Sequence, residues 1–449
     1  MSDMLSIGAS GVRAYQTALA TVGENIANVG STGYTRRAVT LNEVPGGSGS
    51  TNGYGAGNGV TLTGVNRSVD VYSSTALRAS TSDLSRTTKG ADWLDRIQSA
   101  LTGNALTARV TSFFAAAQSL AAEPDSTALR TGMLSAATST AIAFTATGKA
   151  FDQVDADIDT AGNQAAQSLT SLGNSLSKIN EGLSRAQPGS TTAAQLMDQR
   201  DDILSQMSDL SDIDVKMDSI GRATVSLGGS SGPAFVQGTG TGVVSYGRDE
   251  NGKIAFSVTV KSTTTQITPN GGTLAAISDG AERVAAIRQE LNAVAGDFVK
   301  SVNDNQAAGV DQNGNTGTAL FAVAPGGSPT DISVAATFTS GSQIAAGKGA
   351  GVRDSSNLTA LDATRTTKAF EAKLTTLVTD NATAYKQKNT IADAQTAIRD
   401  GAATALSAST GVNLDSEAVD LIRFQQAYAA SSRVIQIARE TMQTILDIR

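Results

Sequence analysis

The most constraining feature of this chain is a matched pair of apolar stripes, one at each end. From the start, Leu5, Gly8, Val12, Tyr15, Leu19, Val22, Ile26 and Val29 follow one another in alternating steps of three and four. Toward the other end, Leu414, Leu421, Phe424, Tyr428, Ser431, Ile435, Ala438, Met442 and Ile445 keep the same rhythm. That period is the seam of a left-handed helix pair. Asn413, Asp415 and Ser416 supply N-capping oxygens for the second helix, and Asp415 and Glu417 suit its positive end. The two termini are therefore read as amphipathic helices lying against each other. The polar face of the first carries no cationic run, which argues against a helix lying on a membrane surface.

Between the ends the pattern is nested. Residues 46–59 form a Gly/Ser-rich loop, and 60–72 alternate weakly, as a strand or two would. Leu77, Leu84, Ala91, Leu94 and Leu101 mark one helix, and Phe151 to Leu183 a long one. Residues 191–210 are helical. DVKM, ATVSL and IAFSVTV, within 213–260, read as a small antiparallel β unit. Helix resumes over 275–303, a Gly/Pro/Asn-rich stretch runs to about 356, and a further long helix covers about 364–399. A chain that goes out and comes back makes a rod. The reading is mainly α with a small β domain, an elongated nested multi-domain rod. It assigns 1–45 plus 405–449 to a terminal coiled-coil domain, 46–212 plus 270–404 to a helical rod domain, and 213–269 to the β domain at the outer tip.

The 449 residues contain no cysteine and no histidine. Disulfides, thiolate metal sites and the commonest general base are excluded by composition. The net charge of −7 offers no cationic track for nucleic acid, and no apolar run is long enough to span a membrane. MSDMLSIGAS lacks the basic start and apolar core of a cleavable signal, so export would need another route. Gly228–Gly232 spells G-x-S-x-G, but nothing here activates Ser230 as a nucleophile, and a loop between strands is the better reading. Asp311–Asn315 begins like a calcium loop, yet its glycine is misplaced and no glutamate closes it, so it reads as a polar turn. Asp152, Asp155, Asp157 and Asp159 interleave with an apolar stripe and read as its solvated face. Arg36–Arg37 reads as solvated surface. No catalytic, cofactor or metal site is expected.

Where the first stripe ends, NIANVGSTGYTRR (25–37) resembles the N-terminal signature of the bacterial flagellar axial proteins, the rod, hook and hook-associated proteins. GNGVTLTGVNRSVDVY (57–72), LMDQRDDILSQMSDL (196–210), SVNDNQAAGVDQNGNTG (301–317) and GVNLDSEAVDLIRFQQAYAASSRVIQ (from Gly411) are similar to blocks of the hook-associated members. The resemblance implies a non-enzymatic structural subunit, exported through the flagellar type III channel to the hook–filament junction outside the cell. It implies self-assembly into a ring or helical polymer, with hook protein below, hook-associated protein 3 above, and an export chaperone on the C-terminal helix over Leu421, Phe424, Tyr428, Ile435 and Met442. No nucleic acid and no membrane insertion are implied. The stripe residues Leu5, Val12, Tyr15, Leu19, Val22, Ile26 and Val29, with Leu414, Leu421, Phe424, Tyr428, Ile435, Met442 and Ile445, become subunit-interface candidates. Asn25, Asn28, Gly33 and Tyr34 are the axial-protein motif. The residues themselves suggest that both asparagines satisfy backbone groups at the helix stop, that Gly30 and Gly33 permit the turn, and that Tyr34 anchors the exit. The short interval 319–355 suggests that a second outer domain of longer members is missing. Another axial protein (hook, rod or flagellin-like) stays open, as does a secreted peptidoglycan hydrolase built on aspartate pairs. Because isolated end helices bury little, the ends are expected to order on assembly.

Overall fold

The computed structural model describes residues 2–31, 33–44, 58–249, 253–349 and 351–447. The Gly/Ser-rich loop falls outside the described residues except for Asn58 and Gly59. The chain opens with α1 (Ser2–Ala27), followed by the antiparallel strands β1 (Arg37–Glu43) and β2 (Val60–Arg67). α2 (Val71–Thr102) begins on Asp70, whose side chain accepts from the Ser73 amide, so the weak alternation ends at Arg67 and Tyr72 is already helical. α3 (Leu106–Ala122) folds back onto α4 (Thr127–Arg185). α4 has 59 residues, a span of about 90 Å at the α-helical rise. Ser126 caps its start, and its inner face is a run of small and apolar side chains interrupted by the buried Arg130 and Asn180. α5 (Thr191–Leu210) returns beside it.

The β unit then forms two antiparallel sheets. The first holds β3 (Ile213–Met217), β4 (Ala223–Leu227), β5 (Ala234–Gln237) and β6 (Gly240–Thr241). The second holds β7 (Val243–Arg248), β8 (Ile254–Val260) and β9 (Thr263–Ile267). α6 (Gly272–Ala307), the short strands β10 (Phe321–Val323) and β11 (Ile332–Val334), α7 (Ser356–Lys368), α8 (Phe370–Thr410) and α9 (Leu414–Asp447) complete the chain. The long helix expected from 364 breaks at Ala369, which sits in the left-handed region at φ 51°. It then runs on past 399 to Thr410, so the passage to the terminal unit falls after Thr410, inside the span assigned from 405.

The β unit does not cap the rod. It lies along the C-terminal half of α4, where Gly162 admits the Tyr246 ring and Gly173 the Phe235 ring. The buried Asn180 amide donates to the carbonyls of Ala223 and Gly238 at 2.9 and 2.8 Å. Each small sheet has one apolar face, with Val225, Val236, Phe256 and Val258 fully buried, and α4 is the surface that covers it. Alternation in the sequence picked out β3, β4 and β8 but not the other strands of the unit or the helix they would pack on. The far end of the rod is instead wrapped by residues 309–349. There the buried Arg130 donates to the carbonyls of Pro124 and Ile344 at 2.8 Å each. Inside that end, α3, α4, α6 and α8 meet in an aromatic cluster. Phe298 lies within 5.4 to 6.1 Å, centroid to centroid, of Phe113, Phe114, Phe144, Phe321 and Phe370. From there α8 runs back beside α2, with Asn381 donating to the Leu94 carbonyl at 2.9 Å. Its last residue meets the start of the chain, where the Arg36 amide donates to the Thr410 carbonyl.

The aspartate cluster lies on a partly solvated face, with Asp152 65% exposed, but its carboxylates are paired. Arg288 of α6 pairs with Asp152 and Asp155, Arg248 of β7 with Asp155 and Asp159, and Arg96 of α2 with Asp157. Tyr246 donates to Asp159. The cluster fastens three elements to α4, and burial raises the Asp155 carboxyl above its ordinary value despite both arginines.

Candidate functional site

The terminal helices pair antiparallel, with α1 against α9. Gly8 lies beneath Ile435 and Gly11 beneath Ser431, so close that a Cβ at either position would stand 2.6 Å from the facing side chain. Tyr15 and Phe424 rings are 6.3 Å apart, and Asn25 reaches Glu417. The residues of α1 that are buried are Gly8, Gly11, Ala14, Ala18, Thr21, Val22 and Asn25. The contact is therefore rotated from the apolar stripe. Of the expected interface residues on α1, only Val22 is buried, Leu5, Val12, Tyr15, Leu19 and Ile26 are half-buried, and Val29 is 45% exposed past the helix end. Small residues took the contact because they let the two backbones approach. The signal was present at 8, 11, 14 and 18, but large side chains drew the reading.

On α9, Leu421, Phe424 and Ile435 face α1 half-buried, and Ala438 is buried. Leu414, Tyr428, Met442 and Ile445 are exposed. Met442 and Ile445 continue the face that meets α1, but they lie beyond Ile435, which already sits over Gly8 in the early turns of α1. Asn413 caps α9, its Oδ1 accepting from the amides of Asp415 and Ser416.

At the base of this pair the motif residues converge on Asn25, which has no exposed surface. Its Nδ2 donates to the Arg37 carbonyl at 2.8 Å and to Glu417 Oε2 at 3.0 Å. Its Oδ1 accepts from the Arg37 amide at 3.0 Å and from the Tyr34 hydroxyl at 2.8 Å. One side chain thus closes the turn, starts β1 and fixes α9. Asn28 has a smaller part, donating to the Glu24 carbonyl at 2.8 Å and accepting from Ser31. Gly33 takes φ +79°, where a side chain would be strained, whereas Gly30 does not need its freedom. Burial pushes the Tyr34 hydroxyl above its ordinary value, against the opposing charge of Arg37.

The arginine doublet is not solvated surface. Arg37 is 4% exposed, lies over the Tyr34 ring, and pairs with Glu24 and Asp198 at 3.2 and 3.0 Å. Arg36 pairs with the buried Glu417 at 2.6 Å and with Asp420 at 3.2 Å. Arg67 reaches Asp198 and Asp201 at 2.9 and 2.7 Å and donates to Thr35. Of these partners, Asp420, Asp198 and Asp201 were not singled out, and Glu417 was read only as an acid suited to the start of α9. Two of them lie in the quoted block 196–210, where an acid pair one helical turn apart was the available signal. β2 also touches the rod directly, the Val65 amide donating to the Gly189 carbonyl at 2.7 Å. A cavity of about 420 Å³ opens at this joint between Val29, Tyr34, Val69, Arg78, Asp201 and Leu406.

Gly228 and Gly229 both take φ +81° in a turn after β4, with Ser230 exposed. Asp311 Oδ1 accepts from the amides of Asn313 and Asn315, folding a polar turn on itself. Among the described residues no three acidic side chains converge as metal ligands, and no helix is long and apolar enough to cross a membrane.

A long helical body whose two chain ends pair and are fastened to it by a buried polar knot defines a class, that of end-paired helical rod proteins. Residues 91–321, just over half of the chain, match the family described as the flagellar hook-associated protein FlgK helical domain. The chain belongs to that family. Residues 405–448 match the flagellar basal body rod FlgEFG protein C-terminal family. Flagellar hook-associated protein 1 of Escherichia coli K12 is 25% identical over 377 residues, covering 77% of this chain and 66% of that protein. Its counterpart in Salmonella typhimurium LT2 is 25% identical over 354 residues, covering 73% of this chain and 60% of that protein. The chain thus spans less than two thirds of the length of these relatives. The flagellar hook junction protein FlgK from Burkholderia pseudomallei shares the fold, at a TM-score of 0.51 and 22% identity over 56% of this chain and 46% of that one.

Proposed function

We propose that this chain is a structural subunit of the bacterial flagellum that forms the hook–filament junction. It polymerises on the hook and offers a base to the next junction protein, hook-associated protein 3, and through it to the filament. The observation that carries this reading is the match of residues 91–321 to the helical domain of flagellar hook-associated proteins. The match of 405–448 to a rod-protein family supports membership among axial proteins in general and does not separate junction from rod or hook. The hydrolase reading loses its footing because the aspartates it would use are held by arginines.

In this reading 1–45 and the chain from 411 onward form the terminal unit that packs around the export channel, the intervening helices form the rod body, and 213–269 is the β unit on its flank. The contact face of α1 is rich in glycine and alanine, which bury little area, so the helix pair gains much of its stability from neighbours in the assembly. Export proceeds through the flagellar type III channel, and the chaperone takes the α9 face of Leu421, Phe424 and Ile435 before α1 occupies it. The test is deletion of the gene in its own host. Hooks without filaments and flagellin shed into the medium are expected, and normal filaments on the deletion strain would defeat the proposal.

A further inference from the structure

Among the described residues, Tyr72 is the most exposed large apolar side chain. It is 90% open to solvent, with Val69 and Val71 beside it at 64% and 66%. It stands in the first turn of α2, where that helix leaves the joint. Thr75, Ala76 and Ala79, which continue the same side of the helix, are exposed as well. An aromatic side chain has about 150–250 Å² to bury, and within its own chain Tyr72 buries almost none of it.

The cavity of about 420 Å³ at the joint lies round the other side of the same turns. Ser74, Leu77 and Arg78 face it, and Tyr72 is roughly 160° round the helix from Ser74 and 120° from Arg78. Its volume equals roughly fourteen waters at about 30 Å³ each, which admits an aromatic ring. Its walls are apolar at Val29, Leu77 and Leu406 and polar at Arg78, Asp202 and Ser205. Arg78 forms no ion pair among the described residues, and its one hydrogen bond goes to the Thr75 hydroxyl at 3.1 Å. Burial holds its guanidinium below the ordinary arginine value, against the pull of Asp201. Asp202 is exposed on the rim and accepts from Gln206 at 2.9 Å. Apolar walls with a donor and an acceptor at one end suit a side chain with a flat apolar body and a hydroxyl tip.

We infer that Tyr72 of one copy enters the joint cavity of the next copy. This rests on the assembly reading above and names a contact outside the paired terminal helices. The ring lies between Val29 and Leu406, and its hydroxyl accepts from Arg78 and donates to Asp202. The occupant is a second copy because one chain carries both knob and hole, at one height and on opposite sides of α2. Copies set side by side at that height offer the one to the other. Two different patches meet, so the contact is head-to-tail and passes from copy to copy. Val29 belongs to the terminal unit and Leu406 to the rod, so a seated ring holds both sides of its neighbour's joint together.

The test uses the full-length chain with p-benzoylphenylalanine replacing Tyr72, expressed in a strain lacking the native gene. Hook particles are isolated and irradiated, and the excited ketone takes a hydrogen from a nearby C–H group before the two carbons join. A species of twice the chain's mass is expected, with the linked peptide drawn from 28–35, 198–205 or 403–412 of the second copy. An absent link, or one to another stretch or another protein, overturns the inference. The second arm needs no photochemistry. Tyr72→Ala leaves the circular dichroism of the monomer unchanged, because the side chain is 90% exposed, and lowers the amount of chain at hook tips about tenfold. Incorporation of Tyr72→Ala at the wild-type level also overturns the inference. Wild-type chain present at hook tips alongside either negative result leaves the junction reading intact, whereas wild-type chain absent from hook tips defeats that reading itself.

Discussion

Replacing Asn25 with alanine removes a single side chain from the base of the terminal pair, and the consequences can be counted. Four hydrogen bonds go: two to the Arg37 backbone, one to Glu417 and one to Tyr34. A buried polar group left without a partner costs about 1–3 kcal/mol. Tyr34 lines the cavity at the joint, which gives its hydroxyl a route to water, and Glu417 keeps Arg36. The two Arg37 backbone groups have no such relief, so the net loss is about 3 kcal/mol, or roughly a hundredfold in the opening equilibrium. Asn28→Ala is the internal control, because it removes one half-buried bond within the same turn and costs about 1 kcal/mol or less. Amide hydrogen exchange on the full-length chain assembled in isolated hook particles reads both. In Asn25→Ala, protection in α1 and β1 is expected to fall about a hundredfold, or to the free-peptide rate, while amides near Ile97 and Phe298 in the rod do not change. Equal effects from the two alanines, or a loss spread into the rod, would refute the assignment of Asn25 as the organiser of the joint.

The close approach at Gly11 makes Gly11→Leu a second test. It favours the isolated helix by about 1 kcal/mol but forces a side chain into Ser431, so motility should be lost while circular dichroism of the α1 peptide rises. Tyr34 gives a pH dependence of defined sign. Its hydroxyl value is raised in the folded joint, so its contribution is complete below the ordinary tyrosine value of about 10 and fades as pH climbs through the folded one. Tyr34→Phe should abolish that alkaline step in the exchange of β1, and tyrosinate absorbance should show the matching late titration. Removing residues 1–40 and 405–449 should raise the helix content per remaining residue of the dilute monomer. Unchanged content, with both ends resisting protease in the intact chain, would show that the ends are ordered without neighbours.

The terminal helices, the β strands of 213–267 and the long helix through Phe151 and Leu183 were legible because each is written in a period: seven at the ends, two in the strands, seven again along α4. The motif around Asn25 and Tyr34 was found by its resemblance to the axial proteins, at the point where the first stripe stops. Period could not reveal the role of Arg36 and Arg37, because their partners Glu417, Asp420 and Asp198 are far away in sequence. Nor could it distinguish an aspartate facing water from one facing Arg248 or Arg288.

By itself, then, the sequence determined the kinds of elements, their nested order and the pairing of the two ends, since these follow from side-chain spacing along one strand of chain. The tertiary structure alone decided which edge of α1 meets α9, where the β unit lies, and how the terminal pair is tied to the rod. Those outcomes depend on how closely two backbones can approach and on which distant charge is brought alongside, and neither quantity is a property of any local stretch.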